Sequence, residues 1–97
     1  MDKMARHKEL CDKLNKMYIE KNACYGDSVS IVRKDLGPIS SLTRMYDKWN
    51  RMKNLMKNPE LDTMADERLT DTMLDLANYL LIEVMERELD KQDELPF

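Results

Sequence analysis

The sequence predicts an all-α protein, a small helical bundle of three long helices plus one short helix. Three observations carry that prediction. Apolar residues recur at helical spacing through each long segment. Glycine occurs only twice and proline three times, too few for the turns of a multi-strand architecture. A mixture of 42% apolar and 36% charged residues suits amphipathic helices and argues against disorder. The 97 residues form a single helical domain, 1–97, of a size at which partners often complete the core, so a homo-oligomer is expected.

The first helix is expected over about 2–21, where Leu10, Cys11, Leu14, Met17 and Tyr18 fall on one side and Lys8, Glu9, Lys13 and Lys16 elsewhere. NACYGDS breaks it. Gly26 is the natural residue for a left-handed turn, and Asp27 or Ser28 can cap a new helix. A short helix through SIVRKDL stops at Gly37, and Pro38 takes the first-turn position of the next, where its missing N–H costs nothing. From 39 to about 57 the apolar stripe is Leu42, Met45, Tyr46, Trp49, Met52 and Met56. NPELDTMADE interrupts the period around Pro59, and Thr63 or Asp66 is expected to cap the last helix, 66–90. There Leu69, Met73, Leu76, Leu80 and Val84 mark the face expected to be buried. Residues 91–97 read as a charged, frayed tail. The nine methionines read as pliable core filler.

A net charge of −3 with 16 basic residues gives no broad positive field, which disfavours a nucleic-acid partner while leaving room for a local phosphate site. No apolar run approaches the roughly 18 residues of a membrane span and no signal peptide opens the chain, so a soluble, cytoplasmic protein is expected. Cys11 and Cys24 lack a CxxC or CxxH partner and read as reduced thiols. His7, the single histidine, sits in the charged segment MARHKEL and reads as solvated surface.

The chemistry rests on two polar stripes. Asp71, Asp75 and Asn78 recur at helical steps on the last helix. Thr43, Asp47, Asn50 and Asn54 do so on 39–57, flanked by Arg44, Lys48 and Arg51. If these helices pack antiparallel through their apolar stripes, the polar stripes border one groove. Asp47, Asp71 and Asp75 then supply carboxylates for magnesium, which takes oxygen ligands and is usually shared with substrate phosphates. Arg44, Lys48 and Arg51 supply phosphate recognition, arginine binding oxygens in pairs. Such a groove suits a nucleoside polyphosphate. The same pattern also describes a solvated face with ion pairs worth at most about 1 kcal/mol each, and Asn78 equally fits a plain interhelical hydrogen bond. The sequence holds no glycine-rich phosphate loop and no Ser-His-Asp set, so no catalytic group is assigned.

In the order KNACYGDS, LTRMYDKWNRMKNLMKNP and DERLTDTMLDLANYLL the chain resembles, over nearly its whole length, the phage and prophage family called nucleotide modification associated domain 1. That family is similar to the all-α nucleoside triphosphate pyrophosphatases, the MazG and dimeric dUTPase group, in which EExxE on one helix and ExxD on a later one hold magnesium and the triphosphate. The resemblance implies a MazG-like bundle. Asp75 followed by LANYLL matches the ExxD aspartate, but Thr72 stands where its acidic partner is expected, with Asp71 the nearby substitute. The glutamate trio is reduced to Asp47, with Asn50 three residues on. Losing about two anionic ligands weakens magnesium binding. Lys21, Tyr25 and Gly26 match the family's KxxxYG segment, whose ring can stack on a base or pack beside the bundle.

Three functions follow as expectations. The first is a phage-type, MazG-like nucleotide-binding protein with magnesium-dependent pyrophosphate release as its reaction. The second keeps the binding and drops the catalysis, giving an anti-defence protein that sequesters a nucleotide signal in the host cytoplasm. The third is a small acidic interaction module that inhibits a host protein, with Trp49 and exposed methionines as anchors.

Overall fold

The computed structural model describes residues 1–64 and 68–93, and among them there are helices and connecting turns but no strand. The helices are α1 (Lys3–Tyr25), α2 (Ser28–Leu36), α3 (Ile39–Lys57) and α4 (Leu69–Asp93), with a single 3-10 turn, Pro59–Leu61, between α3 and α4. The all-α class and the order of elements are those expected. None of these helices is long and apolar enough to cross a membrane.

Local chemistry sets the boundaries. The Asp2 carboxylate accepts from the Ala5 N–H at 3.1 Å and caps α1. At its other end α1 runs four residues past the expected stop, to Tyr25, because the left-handed turn does not begin until Gly26, whose N–H reaches Asn22 O at 2.9 Å. Asp27 is left-handed as well, which an aspartate tolerates, and the two residues in succession turn the chain sharply into α2. Asp27 holds the cap position of α2 without a side-chain hydrogen bond, so its expected capping role reduces to backbone geometry. Gly37, at φ 82, ends α2, and Pro38 stands just ahead of α3. Asn58 closes α3, its amide reaching Asn54 O and Oδ1, both at 3.1 Å.

The start of α4 departs from expectation. Thr63 is not its cap, and Asp66 lies outside the described residues. Asp62 Oδ1 accepts from the Leu69 N–H at 3.0 Å, and Asp71 Oδ2 reaches back to the Arg68 N–H at 3.2 Å. Both carboxylates thus meet the unpaired amides of the first turn. α4 continues to Asp93, so residues 91–93 of the expected tail are helical and 94–97 lie outside the described residues.

Helices α3 and α4 pack antiparallel. Lys48 Nζ meets Asp75 Oδ2 at 3.2 Å and Arg51 Nε donates to Thr72 Oγ1 at 3.1 Å, so rising numbers on one helix meet falling numbers on the other. The faces in contact are not the apolar stripes. Thr72 is only 2% exposed, while Leu80 and Val84 are 51% and 54% exposed. The expectation that Leu69, Met73, Leu76, Leu80 and Val84 form the buried face is therefore corrected. Leu69 and Leu76 are half-buried, and Met73, Leu80 and Val84 are exposed. On α3, Met45 and Met52 are half-buried while Leu42, Tyr46, Trp49 and Met56 are exposed. The contact line holds Leu55, 5% exposed, beside the Lys48–Asp75 pair and the Arg51–Thr72 hydrogen bond, and the exposed members of both stripes lie off it.

α2 is clamped to α4 by one arginine. Arg33, 7% exposed, donates from Nε and Nη2 to Glu83 at 2.9 and 3.0 Å and from Nη1 to Asp90 at 2.5 Å. Ser30 Oγ donates to the buried Glu86 beside it. α1 rests on α4 more lightly, through Lys21 with Asp75 and through the Asn78 amide, which donates to Leu14 O at 3.1 Å.

Candidate functional site

The side of the α3/α4 hairpin that α1 covers carries the polar chemistry. A cavity of about 480 Å³ opens there, within the usual range for small-molecule sites. Its floor is Asp75, Asn78, Tyr79 and Ile82 of α4 with Arg44 of α3. Its wall is Tyr18, Lys21, Asn22 and Tyr25, one stripe of α1, and the first residues of α2, Ser28 and Val29, close the end. A second hollow of about 290 Å³ adjoins it, lined by Arg44, Asp47, Lys48, Arg51 and Tyr79. Arg44 and Tyr79 line both, so the two read as one groove.

Four cationic side chains therefore border the groove: Lys21 from α1, and Arg44, Lys48 and Arg51 from three successive turns of α3. Lys21 lies within the expected helix, and the extension of α1 to Tyr25 adds Asn22 and Tyr25 to the same wall. Three of the four are engaged within the chain. Lys21 Nζ sits 2.8 Å from Asp75 Oδ1, Lys48 Nζ takes the other oxygen, and Arg51 bonds to Thr72. Arg44, half-buried, has no ion-pair partner among the described residues. Burial pushes the Asp75 carboxyl up, but the ammonium groups of Lys21 and Lys48 outweigh it and hold the group below the usual carboxylate range. The hydrogen bond to Asp75 raises Lys21 in turn, against the opposing effect of its burial. Both groups are thus held in their charged forms.

The sequence-predicted site residues fare unequally. Lys21, Tyr25, Arg44, Lys48 and Arg51 converge on the groove. Asn78 lines it too, although its amide also ties α4 to the α1 backbone. The three aspartates do not come together as one cluster. Asp47 is exposed in the smaller hollow, Asp75 lies in the larger between two lysines, and Asp71 serves the amides at the start of α4. Among the described residues no three of His, Cys, Asp or Glu are grouped to hold a metal. His7, Cys11 and Cys24 are all exposed, with Cys11 Sγ 3.8 Å from His7 Nδ1.

Sequence reasoning missed Tyr18 and Tyr79. Tyr18 was expected only in an apolar stripe, yet its spacing of seven from Tyr25, with Lys21 and Asn22 between, already places four groove residues along one face of a helix. Tyr79 carried no comparable signal, since its place opposite Arg44 depends on the register of α3 against α4.

Fold and site together define a small all-α bundle with a basic, tyrosine-lined groove. No protein-family model, curated protein or solved structure matches the chain, so the family resemblance remains an expectation carried by its motifs.

Proposed function

We propose that this protein binds a phosphate-bearing small molecule, a nucleotide in the first instance, in the groove between α1, α3 and α4. The observation that carries the reading is Arg44, a half-buried guanidinium without an ion-pair partner among the described residues, at the junction of two hollows that Lys21, Lys48 and Arg51 also border. An anionic ligand fits there because it supplies the missing counter-charge in a bidentate geometry that guanidinium favours. The rings of Tyr18, Tyr25 and Tyr79 offer flat apolar surface for a base beside that charge.

Binding is favoured over turnover by the state of Asp75. To ligate magnesium it would have to release Lys21 and Lys48, which already occupy both its oxygens. A magnesium ion brought in with the phosphates would find Asp75 and the exposed Asp47 as its nearest acidic neighbours in the groove. The reading that fits best is the non-catalytic one, a protein that takes up a nucleotide or nucleotide signal and keeps it. Its anti-defence role is a proposal resting on the family resemblance.

Calorimetric titration with a panel of nucleoside mono-, di- and triphosphates, with magnesium and with EDTA, tests this. Binding is expected to persist in EDTA and to fall roughly 10- to 100-fold in Arg44→Ala, as loss of a charged hydrogen bond worth about 1.5–3 kcal/mol predicts. Ligand recovered after heat denaturation should be intact. Absence of binding by every member of the panel overturns the proposal, and steady release of pyrophosphate overturns its non-catalytic form.

A further inference from the structure

α1 is attached to the rest of the chain unlike the other helices. It runs 23 residues without burying one of them, whereas Arg33 of α2, Leu55 of α3 and Thr72 of α4 are each buried. Among the described residues two polar ties join it to α4, the Lys21–Asp75 pair and the Asn78 amide on Leu14 O. The charges nearer its start pair within the helix, Arg6 with Glu9 and Lys8 with Asp12. Its link to α2 is a turn of two exposed left-handed residues, Gly26 at φ 60 and Asp27 at φ 61. A Cβ at Gly26 would meet nothing within 4 Å, so the turn has open space beside it. A few residues of this kind at the end of an element are where hinge motions are absorbed. Yet α1 supplies a whole wall of the groove, Tyr18, Lys21, Asn22 and Tyr25, over a floor drawn from α3 and α4.

We infer that α1 is a clamp that turns about Gly26 and Asp27, and that a nucleotide in the groove holds it closed by drawing Lys21 from Asp75 onto its phosphates. The inference rests on the groove being the nucleotide site. Lys21 is the lysine free to change partners. Its side chain is 56% exposed against 31% for Lys48, and of the two it is the one on the hinged helix. Asp75 keeps Lys48 on its other oxygen at 3.2 Å, so the exchange strands no carboxylate. The phosphates then bridge Lys21 of α1 and Arg44 of α3, which line the same cavity, where the ion pair had reached only α4. The rings of Tyr18 and Tyr25 bear on the ligand from the same helix. A ligand held between two elements is lost when they part, so α1 opens less often as the groove fills.

Hydrogen exchange of the full chain, resolved by helix and run with the same nucleotide panel in EDTA, tests the clamp beside the calorimetric titration. In the free protein α1 amides are expected to exchange about tenfold or more faster than those of α3 and α4. A nucleotide that binds should slow α1, by as much as about 100-fold at a free concentration of 100 Kd. Asp75→Asn should loosen α1 in the free protein, and a bound nucleotide should restore its protection through Lys21. Lys21→Gln should loosen α1 as well, with protection by a bound nucleotide cut about tenfold or more. Wild-type α1 as slow as α3 and α4 in the free protein overturns the inference whatever the titration shows. Binding that leaves α1 exchange unchanged, or that protects α1 equally in Lys21→Gln, overturns it while the nucleotide site stands. Binding of no member of the panel removes the site and the ligand's part in the clamp with it.

Discussion

Arg33 and Ser41 show how differently buried polar groups are settled in this chain. Arg33 spends its guanidinium on Glu83 and Asp90, so its burial leaves the charge matched. Ser41 is buried at 5% exposure and its hydroxyl has no hydrogen-bond partner among the described residues. A buried hydroxyl without a partner costs free energy that an apolar side chain of similar size does not. Ser41→Ala should therefore stabilise the protein by about 1 kcal/mol, also gaining helix propensity, and raise the thermal midpoint by several degrees. A lower midpoint would mean that the hydroxyl is satisfied. At this scale the sequence was partly legible. Lys21, Arg44, Lys48 and Arg51 were found because helical spacing or the KxxxYG match singles them out. Asp71 was misplaced because its spacing from Asp75 fixes only a shared helix face, whereas its position in the first turn of α4 draws it to unpaired amides.

Helix by helix, α1 is docked on α4 by one ion pair, Lys21–Asp75, and one amide hydrogen bond, from Asn78 to Leu14 O. Asp75 is depressed in the fold, so its contribution is complete above its ordinary value of 3.8 and is lost as pH falls through its lower folded value. Lys21 is raised, so its contribution is complete below its ordinary value of 10.5 and is lost as pH rises past its higher folded value. Docking of α1 should accordingly be firm across the neutral range and loosen at both extremes. Hydrogen exchange should show α1 amides losing protection in acid before those of α3 and α4, and equal loss in all three would contradict this. The α3 boundaries were legible, as 39–57, because Gly37, Pro38, Asn58 and Pro59 punctuate them. What periodicity does not reveal is which face of a helix meets which neighbour. An apolar stripe announces burial without naming the surface that provides it, and here the Lys48–Asp75 pair and the Arg51–Thr72 bond share the contact line with Leu55.

The molecule as a whole is built around a two-sided hairpin. One side gathers four cations, three tyrosines and α1 around a groove. The other gathers the apolar stripes of α3 and α4. The all-α class and the expected oligomer both came from composition and size, but the division of labour between the two sides needed the register of α3 against α4. The most direct test of that division is a backbone NMR titration of the full chain with a nucleoside triphosphate in EDTA. Shift changes are expected to cluster at Tyr18, Lys21 and Tyr25 of α1, Arg44, Lys48 and Arg51 of α3, and Asp75, Asn78 and Tyr79 of α4, with Leu42, Met56, Met73 and Val84 unmoved. Changes centred on those four apolar residues, or no changes at all, would contradict it.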